Sequence, residues 1–301
     1  MESGLNIIYN VYHTPPLEFP IAVYFYLTGL SAGSFLLSTL AYGFGIEKFK
    51  PLGLLGVSLA VILLILAPIN LIIDLEQPMR FWHLFPYLNM KSPITYGTFL
   101  LSLYPLNAII YGYFMYKKNY RLTKIFGFIG IPLAISVHGY TGFILALSKA
   151  RALWNTALMP FLFLVSAMVS GIAMMMIAVA IKQRYFSEDK HIHDNIIFDL
   201  GKILNMTIFL DLFLILSDIL VLQTADTEAH HAAMLILTSD FSPMFLGVEI
   251  IIGSFIPLML FNIPMFKKRI GFQIAAAILV MIGILAMRYV MVIGGQSIPL
   301  S

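Results

Sequence analysis

The chain has 301 residues, 60% hydrophobic and 11% charged, with a mean hydropathy of +0.91, whereas soluble domains run about 45–50% apolar and about 25% charged. A soluble core of this size cannot hide so much apolar surface, so a soluble domain, a disordered chain and a repeat array are excluded and a polytopic membrane protein is left. The net charge of +3 is too small to argue for nucleic acid, and the absence of Cys excludes disulfides, zinc–thiolate sites, iron–sulfur clusters held by this chain and covalently attached c-type haem.

A spanning helix needs about 20 mostly apolar residues. Eight such runs, bounded by charge or turn residues, fall at 19–43, 52–75, 93–116, 125–147, 155–181, 203–222, 244–265 and 270–293. The expected fold class is therefore all-α, a polytopic membrane protein of eight transmembrane helices. Pro51, Pro93 and Pro243 sit just ahead of new spans, and Lys117-Lys118 and Lys267-Lys268-Arg269 close old ones. Residues 1–18 carry no Lys or Arg and no short apolar core, so a cleavable signal is not expected; Pro15-Pro16 instead make a stiff lead-in. The loops after spans 1, 3, 5 and 7 hold thirteen basic residues, whereas the other loops hold four, namely Arg80, Lys91, Lys149 and Arg151. Basic loops stay cytoplasmic, so both termini are expected on the outer, periplasmic side of the inner membrane.

Two outward segments are unusual. Phe81-Trp82-His83-Leu84-Phe85-Pro86-Tyr87 suits the headgroup layer, and Ala232-Ala233-Met234-Leu235-Ile236-Leu237 is apolar but too short to span. Either could receive a partner or pack on the chain's own helices. Thr28-Gly29 with Ala32-Gly33 in the first helix, and Ser166-Ala167 with Ser170-Gly171 in the fifth, share a spacing that allows close helix approach. The same likeness fits a parallel repeat of four plus four helices, but plain packing explains it as well.

Ionisable groups inside a bilayer are costly and tend to be functional. Asp74, His138, Tyr140, Asp211, Asp218, Glu249 and Arg288, with Tyr24 and Tyr26, fall mostly in the outer halves of their spans, which points to one polar pocket. Asp211 and Asp218 are seven residues apart and share a helix face, as a stripe of proton carriers would. Arg288 needs a partner, and Glu249 or Asp218 matches it in depth; a purely structural ion pair is the competing explanation. Only His138 lies within a span, so a haem with two His ligands is not expected, and no metal is expected at His191, His193, His230 or His231. A chain with neither thiols nor paired intramembrane His has no means of its own to carry electrons across the bilayer. If it does redox work, a small lipophilic carrier such as a quinone fits, with Tyr24, Tyr140, Asp74 and His138 as its polar contacts and Asp74 or His138 taking the proton.

The stretch from Tyr24 to Gly33, then Asp74 to Trp82, Ser92 to Gly97, Tyr140-Thr141-Gly142 with Arg151 to Asn155, and Ala232 to Phe245 together resemble the membrane subunit of polysulfide reductase and its NrfD-type relatives. The likeness runs in order along the whole chain. It implies two four-helix bundles, 19–147 and 155–293, in a single membrane domain without haem or metal. It further implies a periplasmic iron–sulfur subunit and a molybdopterin-type catalytic subunit as partners, with a menaquinone-type quinol reacting near the outer face of a chain inactive alone. By matching positions, Tyr24 and Tyr140 are the quinone contacts and Asp74 the acid/base, with Asp211, Asp218, Glu249 and Arg288 in proton transfer. Glu76-Gln77-Pro78 stands where the family often has Gly-Arg-Pro, so one basic contact is missing, although Arg80 remains. An ion-coupled secondary transporter, which would have discontinuous helices near the midplane, and a non-redox structural anchor are the alternatives.

Overall fold

The computed structural model describes residues 17–75, 77–186 and 190–297. Pro15-Pro16, His13 and Glu76 lie outside the described residues, as do the side chains of His191 and His193. Every regular element among the described residues is helical. Eight helices are long and apolar enough to cross a membrane: α1 (Phe19–Tyr42), α2 (Leu52–Ile73), α3 (Pro93–Tyr116), α4 (Tyr120–Ala146), α5 (Met159–Phe186), α6 (Lys190–Thr224), α8 (Pro243–Asn262) and α9 (Ile270–Ser297). Between α6 and α8 lies the short α7 (Thr227–Thr238), and a tight helical turn, Pro78–Leu84, follows α2.

The all-α expectation and the eight spans hold, with shifted ends. α4 starts five residues early because Asn119 caps it, its side-chain oxygen accepting from the Leu122 N–H at 3.3 Å. α6 begins thirteen residues before the expected 203. Its polar first turns read as loop in the sequence. They stay helical because Ile196, Ile197 and Leu200 are buried on one face while Asp199 pairs with Lys202 and with Lys48 at 2.9 and 3.0 Å.

α1 packs on α2, α2 on α3, α3 on α4, and α4 back on α1; α5 packs on α6 and α9, and α8 on α9. The two sets meet where α1 and α4 lie against α5. The small-residue motifs of α1 and α5 touch each other at this junction. A Cβ added at Gly33 would stand 2.7 Å from the Cα of Gly171, so only glycine lets the two backbones cross so closely.

From Pro243 to Phe255, α8 is wound as a π-helix, in which N–H groups reach back five residues. The Ile256 N–H, for example, donates to the Ile251 carbonyl. Long π stretches are uncommon and often coincide with functional positions. Glu249 sits inside this one.

α7 buries Ala229, Ala232, Ala233 and Ile236 against the protein's own helices, so its apolar run is satisfied internally. The turn after α2 behaves differently: Met79 is 86% exposed and Trp82 53% exposed.

Candidate functional site

Consecutive spans alternate in direction, so the starts of α1 and α8 and the ends of α2, α4, α6 and α9 share one end of the bundle. The ionisable and tyrosine residues singled out above sit there or in the half adjoining it. Three arrangements result.

The first involves two tyrosines. Tyr24 on α1 is buried and Tyr140 on α4 is half-buried, and they lie within electrostatic reach of each other. Buried hydroxyls normally find acceptors. Tyr104 donates to the Ser31 carbonyl at 3.3 Å, Tyr111 to the Ser38 carbonyl at 3.1 Å and Tyr26 to the Met281 carbonyl at 3.1 Å. The hydroxyls of Tyr24 and Tyr140 make no such bond among the described residues. At the same end, just past α2, Asp74 accepts from the Glu18 N–H at 3.2 Å, tying the end of α2 to the start of α1. Partial burial raises the Asp74 carboxyl above its ordinary range, the Glu18 hydrogen bond works against that rise, and the charge of Glu18 adds to it.

The second is built around Arg288, which is fully buried on α9. Neither Glu249 nor Asp218 pairs with it among the described residues, contrary to the sequence expectation. One guanidinium nitrogen, Nη2, donates instead to Ser166 Oγ at 2.6 Å and to the Phe163 carbonyl at 3.1 Å. The guanidinium carbon lies 3.9 Å from the centre of the Phe163 ring, a cation–π contact. His138 Nε2 is 2.8 Å from the same carbonyl and 3.2 Å from Nη2. The two hydrogens on Nη2 are already committed, so the Nε2–H of His138 donates to the Phe163 carbonyl. Its Nδ1 has no partner among the described residues. His138 therefore belongs to the arginine centre, although it precedes Tyr140 by only two positions.

The third is the carboxyl set. Asp211 and Asp218 are both buried on α6, as their spacing requires. Asp211 lies within electrostatic reach of Glu249 and Arg288. One oxygen of Asp211 and both of Glu249 lack hydrogen-bond partners among the described residues. Asp218 accepts from Thr156 Oγ1 at 2.8 Å and borders a water-sized cavity of about 10 Å³ lined by Leu162, Ile215 and Phe245.

The sequence does not single out Ser166 as the support of Arg288, the Phe163 carbonyl, or Thr156. Ser166 stands inside a packing motif, and a backbone carbonyl leaves no residue-type signal. Among the described residues no group of three or more His, Asp or Glu is placed to hold a metal.

The sequence matches the family described as polysulphide reductase, NrfD, over residues 10–299. The chain belongs to the NrfD family. It is 29% identical to a selenate reductase subunit of Mesobacillus selenatarsenatis, over 93% of this chain and 74% of that one. It is 27% identical to a polysulfide reductase chain of Wolinella succinogenes, over 95% of this chain and 96% of that one. An archaeal relative, the Hdr-like menaquinol oxidoreductase integral membrane subunit of Archaeoglobus fulgidus, is 25% identical over 91% of this chain and 69% of its own length. With its eight apolar helices, this NrfD-family chain is an integral membrane protein.

Proposed function

We propose that this chain is the quinol-reactive membrane subunit of a reductase complex, passing electrons between a menaquinone-type pool and an iron–sulfur subunit docked at the outer face. A molybdopterin-type catalytic subunit makes up the rest of the assembly, and both chain termini face outward in the inner membrane. The two packed sets of helices are read as the two four-helix bundles of the single membrane domain. The observation that carries the reading is the pair of unpartnered hydroxyls, Tyr24 and Tyr140, within electrostatic reach of one another at the end of the bundle that holds Asp74. A quinone offers two carbonyls and a quinol two hydroxyls, so donors left free by the protein suit either form.

In this reading the tyrosines orient the headgroup, and Asp74 accepts a proton as electrons leave one at a time for the partner. His138, whose Nδ1 has no partner among the described residues, takes a proton onward. Asp211, Asp218, Glu249 and Arg288 form a polar route deeper into the bundle for proton transfer. A relative named as a menaquinol oxidoreductase subunit supports the choice of carrier. The spans run as unbroken helix, whereas the transporter alternative expects discontinuous ones. A structural anchor has no need of carboxylate oxygens held out of water without partners, as those of Asp211 and Glu249 are among the described residues.

Asp74→Asn, expressed in the assembled complex, tests the assignment. The variant is expected to assemble normally and to lose quinol-linked reduction, while the catalytic subunit still turns over with an artificial electron donor. Because Asp74 must be ionised to act as base, the wild-type rate should rise as pH climbs through its raised pKa, and that limb should vanish in the variant. Full quinol-linked activity in Asp74→Asn would refute the assignment.

A further inference from the structure

Gly97 is the fifth residue of α3, and on its open side lies Tyr140 of α4. A Cβ built at Gly97 would stand 2.6 Å from each of three Tyr140 ring-tip atoms, Oη, Cζ and Cε1. Carbon contacts settle at about 3.5–4.0 Å, so a methyl group there requires a shift of roughly 1 Å. The atoms that must yield are the far end of a side chain and not backbone. This distinguishes Gly97 from Gly33, whose added Cβ would meet the Gly171 backbone at 2.7 Å. A substitution at position 97 therefore presses on the Tyr140 ring and not on a neighbouring backbone. We infer that Gly97 is a positioning residue for the quinol site: its missing side chain sets the place of the Tyr140 hydroxyl. The inference rests on the quinol reading above and extends it to a residue that touches no substrate.

The geometry assigns a cost. A displacement of about 1 Å in a positioned polar group can lower turnover by on the order of 100-fold. Gly97→Ala, measured in the assembled membrane complex, is expected to lower quinol-linked kcat/KM by about tenfold or more and to weaken a quinone-analogue inhibitor. Activity of the catalytic subunit with an artificial donor should be unchanged. Because the effect passes through the tyrosine, Gly97→Ala should add little in a Tyr140→Phe background, a non-additivity that a merely structural role does not produce. Full additivity, or unaltered quinol kinetics in Gly97→Ala while Tyr140→Phe is impaired, overturns the role of Gly97 alone. Unimpaired Tyr140→Phe overturns the quinol assignment and the inference together. Should Gly97→Ala fail to assemble, Gly97→Ala with Tyr140→Leu removes the ring. Recovered assembly supports a clash confined to Tyr140, and continued failure shows that Gly97 is constrained by something else and overturns its positioning role.

Discussion

Arg288 is a fully buried cation held by neutral groups. Ser166 Oγ, the Phe163 carbonyl and the Phe163 ring surround its guanidinium, and the nearest acids act on it only through space. Lone cations in low-dielectric surroundings are costly, so these contacts are what make the position tenable. Arg288→Ala removes two charge-assisted donors, each worth about 1.5–3 kcal/mol, and should lower stability by on the order of 3 kcal/mol. Thermal unfolding of the detergent-purified protein reads this out; an unchanged Tm would show that the guanidinium contributes nothing net. The depth of Arg288 is legible in the sequence, because a basic residue in an apolar run must be either paired or solvated. Its partners are not. Matching residues by charge favours Glu249 or Asp218, whereas the contacts come from a serine and a carbonyl that carry no charge at all.

At the level of helices, apolar run length locates all eight spans, since hydropathy reports directly what a bilayer can accept. It fails where a helix outlasts the apolar run. The first turns of α6 are polar yet stay helical through burial of one face and pairing of Asp199. The π winding around Glu249 has no sequence signature either, because its apolar run reads like that of any spanning helix. Small residues, by contrast, are legible as contacts: the α1 and α5 motifs noted for their spacing pack on each other. A Cβ at Gly171 would fall 2.5 Å from the Gly33 Cα, backbone that cannot swing aside. Gly171→Ala should therefore push α1 and α5 apart at a cost of about 1–3 kcal/mol. Gly247→Ala, with nothing within 4 Å of the added Cβ, serves as the control and should leave stability unchanged or slightly raised. Equal stability of the two variants would argue that the crossing tolerates more space than its geometry implies.

Over the whole molecule, helix direction gathers the polar groups. Eight alternating spans bring Tyr24, Tyr140, Asp74, Asp218, Glu249 and Arg288 toward one end although they are far apart in sequence, the end proposed above from loop charge to face outward. The groups nonetheless divide into a tyrosine pair, an arginine centre and a carboxyl set. Depth along each helix can be counted from the sequence; which face meets which cannot. Depth alone therefore groups His138 with Asp74, whereas its contacts are with Phe163 and Arg288. Met79 and Trp82, in the turn that follows Asp74 in the chain, expose apolar surface at the same end. The most direct measurement is photo-crosslinking of an azido-menaquinone analogue to the assembled complex, followed by peptide mapping. Labelling of the α1 and α4 segments around Tyr24 and Tyr140, displaced by excess menaquinone, is the predicted result. Displaceable labelling confined to α6, α8 or α9 would contradict the account.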